Sequence, residues 1–345
     1  MAPSTQRTAQ PAVYAVPDLP DLADLSKDEY RQLLQTLSEG SVNRHFDPYV
    51  DIDWDSPDFR IDPTDPRWVL SPTHDPLGAH PWYQAQPLEK KVAIGLWRQA
   101  NGAKVGLEFE SVLIRGMQQY VMTLPNGSPE FRYCMHEMTE ECNHIQMFQE
   151  LVNRTGADVP GMRRIHKLTA PLWGLAAVVP QLFFIGVLAG EEPIDHHQKN
   201  VVRDGEDMPP VLRRIMEIHI AEEARHISFA HQFLREHVRE QSAFGKLVTS
   251  IAYPLIMRML CGAIVTPPPV MAKKFGIPAH VMKEAFFASP RSQEILADYF
   301  GDVRMLAEEL GLRNPISNVL WKLCGIDGRP SRYRGEEHRK ARTAA

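Results

Sequence analysis

From Leu88 onward, apolar residues recur at intervals of three and four, and no convincing stretch alternates with a period of two. That pattern predicts helices and no sheet. Leu88–Ala100 and Ala103–Thr123 read as helix, or as one helix broken at Asn101-Gly102. Ser128-Pro129-Glu130 offers a capping serine, a proline in the first turn and an acid near the positive helix end. The helix it starts runs to about Arg154 and stops at Gly156. The next covers about Pro171–Val202, with kinks expected at Pro180 and Pro193. Asp207, Pro209 and Pro210 open another, which runs to about Arg239. Ala243–Ile264 is apolar and helical up to Thr266-Pro267-Pro268-Pro269. Ala279–Phe287, Ser289–Leu310 and Asn314–Leu323 form a helical C-terminal cap. Four long helices between about residues 88 and 240, with peripheral helices after them, make an all-α bundle.

The first quarter of the chain behaves differently. Residues 1–25, rich in Pro, Ser, Thr and Ala, read as a disordered tail. Ser26 can cap a short helix to Leu37, with Glu29 completing the capping box and Gly40 beyond its end. From Arg44 to Pro87 the chain is dense in Pro, Asp and aromatic residues, as in Phe46-Asp47-Pro48-Tyr49, Asp51-Ile52-Asp53-Trp54-Asp55 and Asp62-Pro63-Thr64-Asp65-Pro66-Arg67-Trp68. Regular helix is excluded there, and so many aromatics argue against disorder. The expectation is an ordered wrap pinned to the body by its Tyr, Trp and Phe side chains. Residues 26–325 read as one domain with its core bundle at about 88–240, and 326–345 as a flexible basic tail.

Composition narrows the function. A net charge of −5 over 345 residues gives no reason to expect nucleic acid. Cys134, Cys142, Cys261 and Cys324 contain no C-x-x-C pair, which leaves zinc-ribbon and thioredoxin-like readings unsupported. The N-terminus lacks an apolar signal core, and reduced thiols in a cytoplasmic protein is the simplest expectation. Leu168–Gly190 holds no charged residue and is long enough to span a bilayer. Carboxylates at its end, Glu191 and Glu192, favour a buried central helix and no membrane span.

Those carboxylates matter because of two related motifs. His219-Ile220-Ala221-Glu222-Glu223-Ala224-Arg225-His226 places His219, Glu223 and His226 on one helical face. Upstream, Glu140-Glu141-Cys142-Asn143-His144 repeats its E-E-x-x-H core. Two E-x-x-H units on separate long helices, with one further Glu from each of two others, is the ligand set of carboxylate-bridged di-iron bundles. Bridging carboxylates offset the charge of two close cations, and imidazoles add firm nitrogen donors. Helical faces select among the acids. Glu141 shares its face with Met138, Ile145 and Phe148, and Glu223 with Met216, Ile220 and Ile227. Glu140 and Glu222 point elsewhere, either holding a ligand histidine or Arg225 or making surface pairs. Glu110 shares its face with Gly106, Leu113, Ile114 and Met117, whereas Glu108 shares a polar face and is expected in solvent. Glu192 follows Ile185 and Leu188 by seven and four residues, and is preferred over Glu191. The metal ligands expected are Glu110, Glu141, His144, Glu192, His219, Glu223 and His226, with Glu141 and Glu223 bridging. His219 exceeds the usual two histidines. It is either a seventh ligand, as the stacking suggests, or a buried histidine bonded to a ligand carboxylate. His196, His136 and His166 have no expected place in the site.

The layout Glu110, Glu141-x-x-His144, Glu192, His219-x-x-x-Glu223-x-x-His226 resembles the p-aminobenzoate N-oxygenase (AurF-type) family of di-iron oxygenases. The resemblance covers about residues 40–310. It includes the Phe109-Glu110, Gly190-Glu191-Glu192 and Glu222–Ile227 contexts and the Asp/Pro/Trp-rich lead-in at 46–68. His219 is its most specific mark, because ordinary ferritins and ribonucleotide-reductase-like proteins lack a histidine there. The resemblance implies a ferritin-like four-helix bundle, a homodimer and oxygen activation at two iron ions; manganese is an alternative in one position. It also implies N-oxygenation of an arylamine, with O2, a small-molecule substrate and an external electron donor as partners. Phe109, Met117, Phe148, Phe184 and Leu188 are the expected pocket walls. Two alternatives share the bundle: a di-iron hydroxylase or desaturase acting on an acyl or lipid-like substrate, and an iron-binding ferritin-like protein without organic substrate.

Overall fold

The structure, a computed structural model, describes residues 27–328. The tail expected at 1–25, the cap expected at Ser26 and the basic segment expected beyond Gly328 lie outside the described residues. The described residues hold helices and no strand, in the order α1 (Lys27–Asn43), α2 (Pro81–Gln84), α3 (Leu88–Val121), α4 (Pro129–Thr155), α5 (Arg164–Ala176), α6 (Pro180–Arg203), α7 (Pro210–Arg239) and α8 (Ala243–Val265). The C-terminal part holds α9 (Pro269–Phe275), α10 (Ala279–Lys283), α11 (Pro290–Tyr299), α12 (Gly301–Glu309) and α13 (Pro315–Leu323). Long helices α3, α4, α6 and α7 form a ferritin-like bundle in which α3 lies along α4 and α6 along α7, with α1 and α8 packed outside them.

Two expected helix boundaries move. Asn101-Gly102 does not break α3, which runs unbroken for 34 residues. Asn101 is buried, and its side-chain oxygen accepts the Gly161 amide at 3.1 Å. Buried neighbours Leu96, Ala100 and Val105 outweigh the cost of one helical glycine, about 1 kcal/mol. Conversely, the helix expected over 171–202 is two. The chain leaves helical geometry at Val179 (φ −118°, ψ 83°), and Pro180, which has no amide to donate, starts α6. The apolar run 168–190 is therefore divided. Leu168 and Leu172 of α5 are exposed, while Phe183–Gly190 of α6 is buried throughout. Among the described residues, Ala243–Phe275 is the one helical stretch long and apolar enough to cross a membrane. At the start of α4, the Ser128 hydroxyl makes no capping bond. It lies 3.4 Å from Glu130, which also accepts from Tyr30 at 2.8 Å and Tyr120 at 3.1 Å.

The wrap is ordered and held as its aromatics suggest, though not by all of them. Trp54 and Trp68 are buried, and their indole N–H groups donate to Pro48 O (2.7 Å) and Asp62 O (2.9 Å). Tyr83 is also buried, whereas Tyr49 is exposed. Arg154 of α4 donates to Trp54 O at 2.8 Å, and Arg214 of α7 stacks over Phe46. The wrap thus ties α4 to α7 across the bundle end. Two apolar cores flank the bundle centre. One holds Met117, Phe184, Phe229 and Phe233, and the other Trp68, Phe148, Leu151 and Met216.

Gly95 lets the wrap touch α3. A Cβ there would stand 1.8 Å from the Trp68 carbonyl oxygen, which is backbone and cannot swing aside. Gly95→Ala should destabilise the protein by roughly 1–3 kcal/mol, read as a lower urea midpoint. An unchanged midpoint would mean that this contact is not made.

Candidate metal centre

Seven titratable side chains meet inside the bundle, supplied by its four long helices. They fall into two groups whose ligand atoms lie within 4.8 Å of one another: Glu110, His144 and His219, and Glu141, Glu191, Glu223 and His226. The two groups share walls. Glu141 directs one oxygen to His144 Nδ1 at 3.4 Å and the other to His226 Nδ1 at 3.0 Å. Glu223 Oε1 lies 3.5 Å from His144 Nδ1, 3.6 Å from His226 Nδ1 and 3.3 Å from His219 Nε2. Glu110 Oε1 completes one side, 3.6 Å from His219 Nε2. Glu141 and Glu223 therefore stand between the two halves, where bridging ligands belong.

Six of the seven expected residues converge here. Glu192 does not, and the structure replaces it with Glu191. Glu192 turns toward α7, where its Oε1 contacts His231 Nε2. Neither carboxylate oxygen of Glu191 has a hydrogen-bond partner. Apolar spacing could not separate the two. Phe184 and Val187 precede Glu191 by seven and four residues, just as Ile185 and Leu188 precede Glu192, and all four are buried. The feature that separates them lies downstream and shows only in the fold. Gln198 stands seven residues past Glu191, and its Oε1 lies 2.9 Å from His219 Nδ1. That bond makes Nδ1 the N–H of the imidazole and leaves Nε2 facing Glu110 and Glu223.

The acids preceding each motif glutamate hold histidines, and they do so crosswise. Glu140 of α4 lies 2.8 Å from His226 Nε2 of α7, and also accepts from Arg225 at 2.8 Å. Glu222 of α7 lies 2.8 Å from His144 Nε2 of α4. The wrap closes this arrangement, because the Phe46 amide donates to Glu222 at 3.1 Å and Arg225 donates to Arg44 O at 3.1 Å. Each of the three imidazoles thus has one nitrogen held from behind and the other turned inward. Glu108, expected in solvent, instead pins the α4–α5 connection, accepting from Lys167 at 2.5 Å and from the Met162 amide at 2.8 Å. Sequence reading also missed Glu137, one turn before Glu141. It is fully buried, both its oxygens lack partners, and burial pushes its pKa up to about 8.

The electrostatics show what the centre needs. Burial, then the negative charge of neighbouring carboxylates, drives Glu110 and Glu191 well above the ordinary carboxylate pKa. Burial also opposes ionisation of Glu141, but the two imidazoles beside it hold it well below that value. Burial lowers His219 to about 4, so it offers a neutral nitrogen. Glu110 Oε2, Glu223 Oε2, both oxygens of Glu141 and Glu191, and Nδ1 of His144 and His226 are buried without a hydrogen bond. So many converging lone pairs are costly to bury unless cations accept them. Three imidazole nitrogens and four carboxylates suit iron or manganese and lack the thiolates of a structural zinc site. The residues present fit two such ions.

A cavity of about 180 Å³ reaches this centre from one side, touching Glu110, Glu191, His219 and Glu223. Phe109 and Phe148 wall it, as expected. Met117, Phe184 and Leu188 do not, being part of the bundle core. Phe109 also packs directly on Gly190, where a Cβ would stand 1.9 Å from the ring.

A family model described as p-aminobenzoate N-oxygenase AurF matches residues 27–311. An uncharacterized protein of Mycobacterium bovis and one of Mycobacterium tuberculosis are each 58% identical over 318 residues, covering 92% of this chain and 93% of theirs. No solved structure matches.

Two substitutions separate the adjacent glutamates. Glu191→Gln should lower iron affinity strongly, and Glu192→Gln much less, in equilibrium dialysis against Fe2+. The reverse order would return the ligand role to Glu192. Glu222→Gln, which leaves His144 in place but weakens its support, should cost about 10–100-fold in metal affinity.

Proposed function

The chain belongs to the p-aminobenzoate N-oxygenase AurF family, whose fold is a ferritin-like di-iron helical bundle, and from that premise we propose that it is a di-iron oxygenase acting on a small arylamine. One observation carries the reading: two nests of unpartnered carboxylate and imidazole atoms lie side by side at the inner end of a small cavity. Glu110, Glu141, His144, Glu191, His219, Glu223 and His226 would hold two irons. Bound there, the irons supply redox activation of O2, with electrons from an external donor.

The chain's own residues do the rest. Glu140, Glu222 and Gln198 fix the three imidazoles, so the donor atoms are placed before the ions arrive. The flanking apolar cores keep water from the far side, which leaves the cavity as the approach for substrate. Phe109 and Phe148 face that cavity and orient a flat ring by stacking.

The cavity size favours this reading over an acyl or lipid-like substrate. A cavity of roughly 150 Å³ accepts benzene, so about 180 Å³ has room for one ring beside the centre. Storage of iron without an organic substrate would leave such a cavity unused. We further propose a homodimer, as against the closed many-subunit shell of a storage protein, and light scattering of the intact protein tells the two apart.

The test is direct. Reduced, iron-loaded protein mixed with O2 should convert single-ring arylamines to N-oxygenated products, and should leave fatty acyl probes of twelve or more carbons untouched. Turnover of the acyl probes alone would overturn the substrate reading. His226→Ala should retain its helix content and lose most of its iron. Unchanged iron content in that variant would place the metal elsewhere.

A further inference from the structure

We propose that the cavity selects an uncharged single-ring substrate, its polar end held at His197 and Tyr299, and that Asp75 enforces this choice by cancelling the charge of Arg98. The inference rests on the oxygenase reading above and concerns the outer end of the same cavity.

Among the described residues lining the cavity, Arg98 is the only Lys or Arg, so it is the natural partner for a substrate anion. It is already engaged. Its Nε contacts Asp75 Oδ2, and its guanidinium stacks over Phe286. Asp75 is itself fixed, since its Oδ1 accepts the amides of Leu77 and Gly78, both at 2.8 Å. The turn thus holds Asp75 in place, and its counter-charge stays beside Arg98. A carboxylate entering here would displace Asp75 or be buried without a counter-charge, and either is unfavourable. The other basic side chain at this end, His74, faces Asp204 at 3.1 Å and Glu206 at 3.8 Å.

The groups without such partners are neutral. His197 Nδ1 lies 3.5 Å from the Tyr299 hydroxyl, and both residues line the cavity. Burial lowers His197 to about 4 and raises the Tyr299 phenol. They can donate to, or accept from, an uncharged amide, ester or hydroxyl, but they offer no full positive charge. Their position matches the size of the ligand. His197 lies six residues past Glu191 on α6, about 9 Å of helix rise. That distance spans one aromatic ring with a contact at each end. Arg98 lies twelve residues before Glu110 on α3, about 18 Å of rise, so even its long side chain meets a single-ring substrate only at the outermost atoms.

The experiment is calorimetric binding of two matched probes, 4-aminobenzamide and 4-aminobenzoate, to the iron-loaded full-length protein without O2 or reductant. The amide should bind at least about tenfold more tightly than the carboxylate. Asp75→Asn keeps the turn oxygen but frees Arg98, and it should narrow or invert that ratio by strengthening carboxylate binding. His197→Phe and Tyr299→Phe should each weaken the amide several-fold with iron content unchanged. Equal or tighter binding of the carboxylate by the wild type would overturn the proposal. So would an unchanged ratio in folded Asp75→Asn, or failure of both probes to bind a protein that holds its iron. Failure of the wild type to hold iron at all would instead refute the oxygenase reading.

Discussion

Four carboxylates aimed at one another inside an apolar bundle repel, and each has lost its water. Without cations, protons must balance the cluster: the carboxylates beside His144 and His226 drive both imidazoles to protonate against the cost of burial, and Glu110 and Glu191 are driven to hold protons of their own. As ligands all of these groups give up those protons. Cations are the missing counter-charge. Most of the architecture follows from holding these groups ready for cations. The two apolar cores keep water away from both sides. The crosswise pairs Glu140–His226 and Glu222–His144 lock α4 to α7, so neither helix can slide without releasing an imidazole. The wrap closes on the same pairs through the Phe46 amide and the Arg44 carbonyl, 176 and 181 residues away from their partners in sequence.

This dependence explains what could be seen in the sequence. The E-x-x-H repeats, His219 and Glu110 were legible because each sits on a helix with one clearly apolar face, so periodicity alone points the side chain inward. The crosswise roles of Glu140 and Glu222 were half legible. Their faces turned away from the site, but only the packing of α4 against α7 reveals that each reaches the other helix's histidine. Glu191 against Glu192 was not legible, because residues 183–193 of α6 are buried on every face and carry no periodic signal. Asn101-Gly102 misled for a related reason, since a local breaker says nothing about the Gly161 amide that Asn101 satisfies. The break at Val179 was foreseen only as a kink. Proline fixes where a helix can begin, but the sequence does not say whether the preceding turn continues.

The cavity extends the same logic toward substrate. Its inner end is set by the donor atoms, its middle by Phe109 and Phe148, and its outer end by a salt bridge whose charges cancel. The two E-x-x-H motifs lie at the inner end. On our proposal, substrate choice lies farther out, with Asp75 of the wrap, Arg98 of α3, His197 of α6 and Tyr299 of α11. Relatives sharing the centre can therefore differ in what they oxidise.

The central claim is that this core is built around two metal ions. The most direct measurement is an anaerobic titration of the apo-protein with Fe2+, following the thermal midpoint against equivalents added. Binding to the folded state alone must raise stability. The account predicts a midpoint that climbs and then breaks at about two equivalents per chain. A midpoint indifferent to Fe2+, or a break at one equivalent with no second phase, would contradict it.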